Sequence, residues 1–124
     1  ATPEARAANG YKDTLLATGE DGTTISRAYT GKTCRVVAND WTRHYEKNPA
    51  DLKPFPQQAI ASMQAGVNHL GYPTGTDVDA SREFYPAGQG VGAISELVPA
   101  GVLVRRIVDE AAAVLARVGK LSTR

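Results

Sequence analysis

Three glycines, Gly88, Gly90 and Gly92, alternate along the run Ser81-Arg82-Glu83-Phe84-Tyr85-Pro86-Ala87-Gly88-Gln89-Gly90-Val91-Gly92-Ala93-Ile94. No repeat or hydrophobic period accounts for them. Glycine allows close approach to the backbone and tolerates positive φ. Such a loop before a helical pattern serves either as a tight turn or as a seat for a flat or anionic ligand. Spacing alone leaves both open. It does exclude two nucleotide fingerprints, because neither G-x-G-x-x-G nor G-x-x-x-x-G-K-[ST] is present.

The other reactive residue types point to less. Asp77 and Asp79 stand at i,i+2, but the glycine and glutamate of a calcium-binding EF-hand loop are missing, so a solvated loop over Tyr72–Ala80 is expected. His69 has no second ligand at a metal-binding spacing. His44, set among charged residues, reads as a solvated histidine. Cys34 is the sole cysteine. It reads as a small hydrophobe inside a strand, without a histidine partner identifiable by spacing. No metal site and no catalytic residue are assigned.

Elements must hold these residues. The 124 residues make one domain or part of one. A domain of this size buries roughly two-thirds of its unfolded surface. Fourteen Lys and Arg against 13 Asp and Glu give no electrostatic reason to expect nucleic acid or an anionic membrane. Apolar runs are too short to span a bilayer, and the cysteine usage fits a reducing, cytoplasmic compartment.

Thr2-Pro3-Glu4 predicts a short helix ended by Asn9-Gly10. A second is predicted over Tyr11–Thr18. Thr23–Tyr29 and Thr33–Ala38 predict a hairpin around the three-residue loop Thr30-Gly31-Lys32. Asn39-Asp40 predicts a capped helix to Lys47, with Trp41 and Tyr45 on one side. A helix from about Pro56 to Ala65 should bury Ile60 and Met63 and close at Gly66. Val91–Leu97 can form a short helix. The final helix, about Pro99 to Val118, carries Val104, Ile107, Val108, Ala111, Val114, Leu115 and Val118 on one stripe, with Gly119 as its stop and Lys120–Arg124 fraying. That stripe has no evident sheet to cover, and a lone hairpin is marginal in water.

The run Arg82–Ile94 resembles the C-terminal flavin-contacting loop of bacterial nitronate monooxygenases, also called 2-nitropropane dioxygenases. Tyr11-Lys12 through Gly19-Glu20-Asp21, Arg27–Lys32, Arg35–Thr42, Pro54-Phe55-Pro56-Gln57-Gln58 and the final helix resemble the same family in order. The resemblance implies an α/β fold: the C-terminal part of an FMN-binding TIM barrel with an inserted α+β substrate domain. Residues 1–70 would belong mainly to the insertion, and 71–124 would return to the barrel with the flavin loop and closing helix. It also implies FMN as cofactor and oxidation of a small alkyl nitronate by O2. Gln89, Gly90, Val91 and Gly92 match the FMN-contacting run. The family's catalytic histidine and phosphate-binding loops would lie in an N-terminal barrel portion that is missing here. Related members act as NAD(P)H:quinone or enoyl reductases. A non-catalytic fragment or interaction module is the reading from a different class.

Overall fold

In a computed structural model of the chain, residues 1–69 and 78–121 are described. Two compact units emerge, residues 6–95 and residues 1–5 with 96–124. The hairpin and the glycine loop thus share one unit. The expected division at 70/71 falls within 70–77, outside the described residues.

In the larger unit, α1 (Asn9–Ala17) precedes a hairpin of β1 (Thr23–Ser26) and β2 (Cys34–Val37). The strands pair antiparallel, from Thr23 opposite Val37 to Ser26 opposite Cys34. Both strands are shorter than the β-branched runs suggested. Arg27–Thr33 forms the connection, rather than three residues. Its main chain turns inward and buries Ala28 and Tyr29 completely. Gly31 has φ of 80°, and a Cβ there would lie 2.5 Å from Phe55 N. Glycine is therefore required on two counts, positive φ and close approach.

Helix α2 (Asp40–Lys47) starts where Asn39 and Thr42 form a reciprocal capping box. The Asn39 side chain accepts from Thr42 N–H, and the Thr42 hydroxyl accepts from Asn39 N–H. Such a cap meets main-chain donors that the helix start leaves without partners. Trp41 and Tyr45 pack against the core, as their i,i+4 spacing predicts.

Helix α3 (Gln57–Gln64) corrects the hydrophobic expectation. Ile60 and Met63 are 51% and 53% exposed, whereas Gln58 and Ser62 are fully buried. Main-chain acceptors of the inward-turned connection explain the reversal. Gln58 Nε2 donates to Ala28 C=O, and the Ser62 hydroxyl donates to Tyr29 C=O at 2.7 Å. Gly66, at φ 68°, follows the helix as its stop.

Tyr29 is the hub of the core. Its ring stacks on Phe84 at 4.5 Å and on Trp41 at 6.3 Å. Its hydroxyl lies 2.7 Å from Arg82 C=O and accepts from Asn39 Nδ2 at 2.9 Å. Hydrogen bonding is what makes burial of such a polar tip tolerable.

In the smaller unit, α4 (Ala100–Leu121) runs through Gly119 rather than stopping there. Residues 3–7 make a turn followed by bends, not the short helix expected from Thr2-Pro3-Glu4. Glu4 serves α4 instead, its carboxylate accepting from Ala100 N–H at 3.1 and 3.2 Å. An acidic group there also complements the helix dipole. Arg106 pairs with Glu96 at 2.8 Å. Val104, Ile107, Val108, Val114, Leu115 and Val118 share the predicted stripe, and all are exposed. Ser122–Arg124, expected to fray, lie outside the described residues.

Candidate functional site

The glycine loop is carried by the hairpin. Beyond β2, on the edge away from β1, Val36 forms an antiparallel bridge with Pro86. Val37 N–H donates to Tyr85 C=O at 2.9 Å, and Ala87 N–H donates to Arg35 C=O at 3.2 Å. These two main-chain bonds fix the residues immediately before Gly88. Tyr11 adds a second anchor: its hydroxyl donates to Pro86 C=O, and its ring stacks on Tyr85 at 5.1 Å. Burial pushes both phenols up from their ordinary value.

Gln89–Ala93 is a 3-10 turn. Its four sequence-matched residues face different surroundings. Val91 is buried and pins the turn down. Gly92 lies against the turn after α1, where an added Cβ would come within 2.5 Å of Glu20 N and 2.7 Å of Glu20 Cα. Gly88 and Gly90 have nothing within 4 Å of an added Cβ. With Leu15, Pro86, Ala87, Val91 and Ile94 they border an open hollow of about 280 Å³. Gln89 is exposed beside it, with an amide that can both donate and accept. Neither Gly90 nor Gly92 has positive φ. Glycine serves here for space, to seat the loop at 92 and to keep its outer face open at 88 and 90.

A second concavity, of about 300 Å³, lies between β1 and α2 and is bordered by Thr24, Ser26, Arg27, Thr42, Tyr45 and Glu46. No glycine-loop residue lines it.

His69, assigned no metal from its spacing, is paired with a carboxylate. Its Nδ1 lies 2.9 Å from Glu83 Oε2, and its main-chain N–H donates to Glu83 Oε1 at 2.8 Å. The Glu83 side chain is 2% exposed, while that of His69 is 32% exposed. Residues so far apart in sequence leave no local pattern by which to find this pair. Next to it, Asn68 Oδ1 is buried without a hydrogen-bond partner among the described residues.

The remaining candidates stay modest. His44 is half-exposed, 3.5 Å from Asp51 Oδ2. Cys34 is half-buried, and burial pushes its thiol up, away from the thiolate that reactivity needs. Asp79 is engaged by Ser81, whose hydroxyl and N–H donate to it at 2.6 and 3.0 Å and hold its carboxyl below the usual carboxylate range. Asp77 and the rest of the polar loop through it lie outside the described residues. Among the described residues no cluster of three or more metal-ligating side chains occurs, and no helix is long and apolar enough to cross a membrane.

A family model for nitronate monooxygenase matches residues 1–110, a span that includes the hairpin, the His69–Glu83 pair and the glycine loop. The chain belongs to the nitronate monooxygenase family. That family is one of flavin-dependent oxidoreductases. Among solved structures, FabK from Thermotoga maritima is similar in fold, with a TM-score of 0.71 and 20% identity over 94% of this chain and 35% of that one. A point mutant of the same protein aligns with a TM-score of 0.62 and 20% identity, over 94% of this chain and 32% of its own. This nitronate monooxygenase-family chain therefore spans about a third of the length of those structures. Its described residues form a small α/β piece, without a barrel. No curated protein sequence matches the chain.

Proposed function

We propose that this chain is the C-terminal portion of an FMN-dependent nitronate monooxygenase, and that its loop 88–92 lies against the flavin. The family match over residues 1–110 carries the reading. The open backbone at Gly88 and Gly90 supports it, because a flat ring needs a surface without side chains to come within contact distance. Gln89 then offers its amide to the polar edge of the ring. Val91 and Gly92 hold the loop to the body from beneath. Bound FMN supplies acceptance of electrons from the nitronate and their delivery to O2, chemistry that side chains do not provide. The residues of this chain orient the flavin and keep water from one of its faces. Phosphate binding and the catalytic base fall to the barrel portion.

The test uses a complete enzyme bearing this C-terminus. Its released cofactor should be FMN, and O2 consumption should follow addition of an alkyl nitronate such as propionate 3-nitronate. FAD in place of FMN, or oxidation of NAD(P)H by quinones or enoyl substrates without nitronate turnover, would overturn the assignment.

A further inference from the structure

Glu83 is a carboxylate taken out of water, with both oxygens engaged by one residue, His69. Burying a carboxylate is costly unless its lone pairs are met. Here they are met by a main-chain N–H and a ring nitrogen of the same residue, which fixes both the position of His69 and the rotation of its imidazole. With Nδ1 committed to Glu83, Nε2 is the ring's remaining functional atom. No described residue hydrogen-bonds to it, and about a third of the side chain is open to its surroundings. A carboxylate behind one nitrogen and an open second nitrogen is the arrangement by which proteins orient a histidine toward a ligand.

The pair is also tied to the glycine loop. Glu83 leads through Phe84 and Tyr85 into the strip bridged to β2, and Gly88 follows five residues after Glu83. Extended chain covers at most about 3.3–3.6 Å per residue, so the Cα atoms of Glu83 and Gly88 are no more than about 18 Å apart. The main chain at Glu83 is itself fixed, its C=O accepting from Asn39 Nδ2 at 2.8 Å.

We propose that His69 is a substrate-contacting residue whose Nε2–H donates to an oxygen of a small planar oxyanion, a nitronate or a carboxylate, with Glu83 as its positioning residue. The binding form is the doubly protonated ring, in which one nitrogen donates to Glu83 and the other to the ligand. Glu83 balances the ring's charge, so the pair recognises the ligand by directed hydrogen bonding rather than by net charge. The proposal rests on the nitronate reading for the identity of its ligand, but its geometry does not depend on the flavin.

Two measurements separate the proposals. In the complete enzyme, His69→Phe and Glu83→Gln should each raise KM for alkyl nitronates tenfold or more, with FMN affinity unchanged within about twofold. In the 124-residue chain labelled with 15N-histidine, ethyl nitronate should shift the His69 Nε2 resonance saturably, with His44 as internal control. Unchanged KM in folded His69→Phe enzyme would overturn the substrate role of His69 and leave the flavin assignment standing. If the wild-type enzyme proves inactive on nitronates, the flavin assignment falls and the resonance decides alone: a saturable shift upholds the pair, and parallel drift of His69 and His44 overturns it. Should Glu83→Gln fail to fold, His69→Phe carries the kinetic comparison.

Discussion

At the scale of single residues, the glycines of one loop have separable roles. Gly92→Val drives a branched side chain into the Glu20 backbone and should prevent normal folding, visible as loss of the cooperative thermal transition. Gly90→Val meets open space, so the fold should survive. In the complete enzyme its FMN affinity should fall tenfold or more, about 1.4 kcal/mol, by fluorescence titration. Gln89→Leu should have a smaller effect. Equal affinity in wild type and Gly90→Val would return the loop to a purely structural turn. Tyr29 supports a prediction about pH. Burial holds its phenol well above the ordinary 10.0, so the folded protein binds that proton more tightly than the unfolded chain. Its contribution is complete below pH 10.0 and is lost as pH rises from there toward the folded value. Tyr29→Phe should flatten the alkaline limb of a stability-versus-pH curve. At neutral pH it should cost about 1–3 kcal/mol, because Asn39 Nδ2 and the Arg82 carbonyl lose a buried partner. An unchanged alkaline limb would mean that other groups set it.

The elements divide by the kind of signal that encodes them. The hairpin, the Asn39 cap and α4 were legible because their determinants are local: β-branched runs, an N-cap residue, an apolar period. Helix α3 was legible in extent but not in orientation. Gln58 and Ser62 face inward because carbonyls of Ala28 and Tyr29, some thirty residues earlier, need donors. Hydropathy carries no trace of that demand. Ser62→Ala should therefore destabilise by about 1–3 kcal/mol in urea unfolding. Met63→Ala, on the exposed side, should stay within about 0.5 kcal/mol. The reverse ranking would restore the hydropathy reading of the helix. The glycine loop was legible as a loop with two uses, and only the family resemblance chose between them. The His69–Glu83 pair was invisible, since its members lie 14 residues apart with no periodic relation.

For the whole molecule, the apolar stripe of α4 lies open, with Leu115 71% exposed. A run of such side chains exceeds what isolated surface hydrophobes account for. The 124-residue chain should bind a hydrophobic dye such as ANS, and Leu115→Glu should reduce that fluorescence. The chain alone should not oxidise propionate 3-nitronate even with FMN added, because catalysis needs flavin and base held in fixed geometry. Turnover by the purified chain would overturn its reading as a portion of the enzyme. The Tyr29 hub has a further consequence, for the order of events in folding. Its hydroxyl contacts reach residues 53 and 54 positions away, and the Tyr11–Pro86 bond spans 75. Closing such long loops costs entropy before any contact repays it. The hairpin and α2 can form early from local contacts, while the core around Tyr29 must wait for Arg82–Pro86. On a ribosome the hub would stay open until more than fifty further residues had been made, and the glycine loop would be seated among the last.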